Sequence, residues 1–353
     1  MRKVQDFLQK KGVVFSVKRY AIDALGAMAQ GLFASLLIGT IIGTAGEQLH
    51  IEVLVKIGSW AKSASGPAMA AAIGAALGCP PLVLFSLLAV GMSASSLGGA
   101  GGPLAVYVVA VITAEIGKLI SKETKIDIIV TPLVTICAGA FLSLLIAPGL
   151  GAAATACGRM IIWATELQPF FMGIIVSVVV GMILTLPISS AAICAALSLT
   201  GLAGGAALAG CCAQMVGFAV MSFRENKTAG LLAQGIGTSM LQMGNIVRNP
   251  RVWIPPTLCS AITGPIATVV FDMRMNGPAV ASGMGTCGFV GPIGLYSGWV
   301  ADIASGAKIA ITAHDWTGMA LVCVVIPAIL TPLISIPFRK IHWIKDGDLK
   351  LDL

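Results

Sequence analysis

The chain has 353 residues, 57% of them hydrophobic and only 10% charged, with a mean hydropathy of +0.95. A soluble domain carries roughly 25% charged residues, so a water-soluble globular enzyme is excluded. The net charge of +7 gathers mostly at the two ends of the chain, which argues for membrane topology and against nucleic acid as a partner.

Six basic residues (Arg2, Lys3, Lys10, Lys11, Lys18, Arg19) precede the first apolar run, 24–46. That run is too long for the core of a signal peptide and reads as retained. Residues 44–62 are less apolar and read as an interfacial helix or a connecting loop, as do 151–169. No charged side chain then occurs between Lys62 and Glu115, or between Glu166 and Arg224. Further charge-free runs cover 128–158, 228–247, 252–271, 275–301 and 316–338. With about 20 residues needed per spanning helix, the chain is read as an all-α polytopic membrane protein of about eight to ten transmembrane helices. It forms a single integral membrane domain over 1–353: a basic cytoplasmic N-terminus (1–20), a transmembrane region (21–338) and a cytoplasmic tail (339–353). Strict ten-span threading leaves Lys118, Lys122, Lys125, Arg248 and Arg251 outside, against the positive-inside rule, so at least one segment is expected not to cross simply.

Forty-two glycines cluster into SASSLGGAGGPL (93–104), LTGLAGGAALAG (199–210) and ASGMGTCGFVGPIG (281–294). Such clusters either let helices pack closely or break the helix. Irregular backbone at membrane depth survives only where protein or a water-filled cavity covers it, and it marks the solute site of many transporters. Pro80, Pro81, Pro187, Pro255, Pro256 and Pro265 add further breaks. A weak internal repeat, 21–150 against 170–273, is visible in two pairs of segments. KIDIIVTPLVTICAGAFLSLLI (125–146) resembles NPRVWIPPTLCSAITGPIATVV (249–270), and SGPAMAAAIGAALG (65–78) resembles LPISSAAICAALSL (186–199).

Polar side chains inside apolar runs are the binding candidates, because burying them unpaired costs several kcal/mol. These are Gln30, Gln214, Gln234, Gln242, Asn245, Thr263 and Asn276, together with Gly285 in the third glycine cluster. Gln234, Gln242 and Asn245 fall roughly on one helical face. Amides both donate and accept, which suits a neutral hydroxyl-bearing solute; helix–helix hydrogen bonding is the competing use. The carboxylates (Asp23, Glu47, Glu115, Glu166, Asp272, Asp302) lie near span ends, where water or headgroups are in reach. The nine cysteines lie in apolar runs without metal-ligand spacing and read as packing residues. No metal site, cofactor or catalytic residue is expected.

At NPRVWIPPTLCSAITGPIATVVFDMRMNGPAVASGMGTCGFVGPIG (249–294) the chain resembles the membrane (IIC) components of the bacterial sugar phosphotransferase system. Within them it resembles a stand-alone branch described as toxin regulators, after the perfringolysin regulator. The resemblance extends over most of the chain, including the first span GAMAQGLFASLLIGTIIGT. It implies an enzyme IIC-like, homodimeric permease in the bacterial inner (plasma) membrane, with both termini cytoplasmic and re-entrant glycine-rich hairpins around a solute pocket. The solute is expected to be a small polar compound, a sugar or sugar-like. In sugar-transporting relatives a GITEP-type motif supplies a sugar-binding glutamate; the match here is Ala261-Ile262-Thr263-Gly264-Pro265, with Gly264 at that position. Coupling to phosphorylation would require separate cytoplasmic phosphocarrier proteins. The alternative is a membrane sensor or regulator that retains the fold without transport.

Overall fold

The computed structural model describes residues 7–351; Arg2 and Lys3 of the basic N-terminus lie outside the described residues. Among the described residues six helical stretches are long and apolar enough to cross a bilayer. They are α1 (Lys18–Gln48), the stretch Pro81–Ile120, α6 (Asp127–Thr165), α9 (Gly201–Met221), α12 (Pro250–Val270) and α15 (Ala313–Lys340). The stretch Pro81–Ile120 breaks into α4 (Pro81–Gly98) and α5 (Gly102–Ile120). Their 18 and 19 residues give lengths of about 27 and 28 Å, close to a bilayer core. α7 (Pro169–Thr185) is strongly apolar but 17 residues long. Membrane depth leaves the backbone little choice, since each peptide group must find its partner within its own helix.

The chain packs as two compact units, one ending at Ala154 and the other beginning at Thr155. α6 carries the chain from the first into the second, with Pro132 and Pro148 inside it.

In the first unit α1 folds back on α2 (Glu52–Ser63) through glycines. A Cβ at Gly58 would lie 2.6 Å from the Gly43 nitrogen, and one at Gly39 would lie 2.8 Å from the Gly58 carbonyl oxygen. α3 (Ser65–Ala76) and α4 meet the same way at Gly66 and Gly91. Residues 44–62, read as an interfacial helix or a connecting loop, are therefore the end of α1, the turn after it and most of α2, the second arm of a helical hairpin. The first glycine cluster is a true break: Gly99 takes φ +51° in the turn between α4 and α5.

The second unit is built around α9, whose residues from Ala203 to Ala219 are all buried. The second glycine cluster thus forms continuous helix, and its glycines serve close approach. A Cβ on Gly205 would strike the Met273 carbonyl, and one on Gly210 would strike the Ser177 carbonyl. The third cluster behaves differently. From Met275, which exchanges both backbone hydrogen bonds with Gly201 at 2.9 Å, the chain runs through the single turn α13 (Ala279–Ser282). It reaches Gly285 beside Cys211 and Met215, halfway along α9, and returns through α14 (Val290–Ala304). Gly294 and Gly298 then pack against Gly277, and Asn276 bonds Asp302. The segment enters and leaves at the same end of α9, as a re-entrant hairpin does.

The two halves of the sequence echo share a local geometry. α3 ends with Leu77 N–H on Ile73 O, Gly78 at φ +66° and Cys79 N–H on Gly74 O. α8 (Ser190–Ala196) ends with Leu197 N–H on Ile193 O, Ser198 at φ +48° and Leu199 N–H on Cys194 O. Both are left-handed caps that satisfy the last carbonyls of a short helix.

Candidate functional site

Within the second unit the re-entrant segment pairs with the connection between α7 and α9. α8 has seven residues and α13 four, far too few to cross a bilayer. Serine hydroxyls bind them to each other: Ser190 Oγ donates to Gly283 O at 2.7 Å, and Ser282 Oγ donates to Leu199 O at 2.8 Å. Gly283 is forced by contact, since a Cβ there would lie 2.6 Å from the Ser190 carbonyl oxygen. Gly285 sits at φ +54°, and a side chain would also meet Cys211 at 2.9 Å. Next to it the Thr286 hydroxyl donates to Gly235 O. Two broken segments therefore face each other within the unit, their backbone turned on short local hydrogen bonds such as Gly283 N–H to Val280 O and Met284 N–H to Ala281 O.

Gln214, from α9, is the hub of a buried network beside these segments. Its Oε1 accepts from Trp253 Nε1 at 3.0 Å and from Thr185 Oγ1 at 3.3 Å. Its Nε2 donates to Thr257 Oγ1 at 3.3 Å and Ser260 Oγ at 3.5 Å. Thr185 reaches Ser239 at 2.7 Å. One amide thus joins three helices, α7, α9 and α12, and both its oxygen and its nitrogen are satisfied.

Gln234, Gln242 and Asn245 come together as a ladder. Gln234 Nε2 donates to Ser222 Oγ and Gly230 O, Gln242 Nε2 to Gln234 Oε1, and Asn245 Nδ2 to Gln242 Oε1 at 2.8 Å. The remaining donors reach the C-terminal tail: Gln242 to Leu349 O at 3.0 Å and Asn245 to Lys350 O at 2.9 Å. Asn226 joins them, donating to Leu349 O and accepting from Leu351 N. All three ladder residues are buried, and their amide hydrogens are engaged by the chain itself.

The other expected residues are dispersed. Thr263 is buried and donates back to Cys259 O and Ser260 O within its own helix. Gln30 belongs to the first unit and is exposed. Asn276 lies at the rim of the hairpin, exposed, donating to both oxygens of Asp302 at 3.1 and 2.9 Å. Beside it Arg274 Nε bonds Asp272 at 3.1 Å, and that carboxylate holds the guanidinium above its usual pKa. Ser190, Ser282 and Trp253 are not marked by the sequence as site residues, and Asp302 is read there only as a carboxylate near a span end. A serine in an apolar run carries no spacing signal, and Trp253 reads as an interfacial aromatic.

Gly264, which the resemblance aligns with the glutamate of the GITEP-type motif, is a glycine for a steric reason. A Cβ at Gly264 would collide with the Gly173 carbonyl and the Ser177 hydroxyl of α7. Ser177 in turn donates to Ser260 O at 2.7 Å. α7 and α12 cross at this glycine with backbones in contact, so no side chain fits there.

The acids also differ from expectation in one place. Glu115 is buried rather than facing water: its Oε2 accepts from Lys118 Nζ at 2.8 Å and its Oε1 from Tyr20 at 3.0 Å. Lys118, 2% exposed, also donates to Gly12 O and Leu77 O. Among the described residues no three metal-ligating side chains gather, and the nine thiols are free.

A family model described as Phosphotransferase system, EIIC matches residues 22–351. No curated protein and no solved structure matches the chain.

Proposed function

Since the chain belongs to the phosphotransferase-system EIIC family, a membrane sugar-transport component, we propose that its second unit binds a small hydroxyl-bearing solute between the paired hairpins. The observation that carries this reading is the pairing itself, two broken segments held together by Ser190 and Ser282 beside Gly285, which takes a left-handed φ of +54°. Unwound backbone offers N–H and C=O groups to a ligand where intact helix cannot. The rim residues Asn276 and Asp302 supply the side-chain donor and acceptor that Gly264 does not. Gln214, Thr263 and the Gln234–Gln242–Asn245 ladder frame the site within the second unit. The chain works as a homodimer with both termini cytoplasmic, by the positive-inside rule, and separate phosphocarriers phosphorylate the solute on arrival.

The test is uptake of labelled sugars into proteoliposomes, with and without added phosphocarriers. Accumulation only with phosphocarriers supports group translocation, and equilibration without them supports facilitation. A second reading, a sensor that retains the fold, draws on Gly264: the glutamate of sugar-transporting relatives is sterically impossible here. Saturable sugar binding with no uptake in either condition would decide for it.

A further inference from the structure

At the opposite end of α9 from the hairpins lies a groove that the solute site does not use. α9 and α15 run side by side: a Cβ at Gly217 would meet Thr331, and the Arg339 guanidinium donates to Met221 O at 3.3 Å. Both helices therefore finish at the same end. Between them opens a cavity of about 630 Å³. Its walls are apolar, with Val220, Leu333 and Ile336 among them, and its end is lined by Arg224, Arg339 and Lys340. Leu333 is 54% and Ile336 44% exposed, which on a membrane-spanning helix places them against acyl chains.

The three cations differ in what they already hold. Arg339 is committed, bonding Glu225 at 3.2 Å and Asp346 at 3.3 Å besides the Met221 carbonyl. Arg224 and Lys340 join no ion pair among the described residues. Their charge exceeds what two helix C-termini attract, since the end of a macrodipole amounts to about half a charge. An apolar trough on the lipid side, closed at the membrane boundary by two uncommitted cations, has the polarity of one molecule class. We propose that this groove holds an anionic phospholipid, its acyl chains along Leu333 and Ile336 and its phosphate between Arg224 and Lys340. Basic pockets between transmembrane helices select charged headgroups in this way. Arg339, pinned by Glu225, sets the floor of the headgroup site.

The test is native mass spectrometry of the full-length, detergent-purified protein titrated with phosphatidylglycerol or phosphatidylcholine. The wild type is expected to retain phosphatidylglycerol preferentially. In the double variant Arg224→Gln/Lys340→Gln its affinity should fall roughly 30-fold, with phosphatidylcholine unaffected. Lys125→Gln, an exposed lysine of the first unit, should leave phosphatidylglycerol binding as it is. Both altered side chains lie at the surface end of the groove, so melting in phosphatidylcholine vesicles should match the wild type. Equal retention of the two lipids, undiminished phosphatidylglycerol binding by the double variant, or equal loss in Lys125→Gln would overturn the proposal. Displacement of phosphatidylglycerol by excess inorganic phosphate would also overturn it, by assigning the groove to a soluble phosphate compound.

Discussion

The two units bury polar groups by different chemistry. The first buries full charges: Glu115 and Lys118 face each other at the end of α5, with Tyr20 and the backbone of Gly12 and Leu77 taking up what remains. The second buries amides and hydroxyls, in the Gln214 hub and the Gln234–Gln242–Asn245 ladder. A buried charge is tolerable only when paired and hydrogen-bonded, and the first unit meets that condition close to a span end. Neutral groups cost less to desolvate and can exchange one partner for another. The first unit is thereby a fixed clasp on its N-terminal segment, while the second is held by neutral donors and acceptors, the kind of group that the proposed solute site requires.

The sharpest break in this comparison is Glu115→Ala. Lys118 would then be buried without its counter-charge, at a cost of about 3–5 kcal/mol. Thermal unfolding in detergent should show a large fall in the melting temperature. Gly264→Ala comes next. The added methyl meets the α7 backbone, and such overpacking costs about 1–3 kcal/mol; the same melting experiment reads it, and a shift near zero would show that α7 and α12 part easily. Gln242→Ala is milder at about 1 kcal/mol, because the tail keeps its bonds to Asn226 and Asn245. Hydrogen exchange should quicken at Leu349–Leu351 and stay unchanged along α9.

The smallest effect belongs to pH. Lys11 hydrogen-bonds Glu123 and holds its carboxyl below the usual 4.5. A carboxylate with a depressed folded pKa contributes stability that is complete above its unfolded value and lost as pH falls through the folded one. Protection of the segment around Lys11 should therefore be constant from pH 8 down to about 4.5 and decline only in more acid solution. Decline at neutral pH would assign the clasp to another group.

The spans were legible because bilayer thickness imposes a length and lipid imposes apolarity. The role of each glycine cluster was not. LTGLAGGAALAG and ASGMGTCGFVGPIG have similar composition, yet one is continuous helix from Gly201 onward and the other a re-entrant turn. What separates them is the neighbour: Gly205 and Gly210 answer to Met273 and Ser177, residues far away in sequence. The ladder shows the same limit. The spacing of Gln234, Gln242 and Asn245 marked one face, but their partners are backbone carbonyls of Leu349 and Lys350, which leave no mark in a sequence. Glu115 was placed near water because position along a span says nothing of what folds over its end.

The most direct test of solute binding at the paired hairpins is a thermal-shift titration of the purified protein against a panel of sugars and sugar acids, with wild type and Asn276→Ala compared. A ligand that binds only the folded state raises the melting temperature by mass action. At least one sugar is expected to do so for the wild type, and Asn276→Ala to lose the shift while its ligand-free melting temperature is unchanged. A sugar that stabilises both proteins equally would place the solute elsewhere and contradict the account.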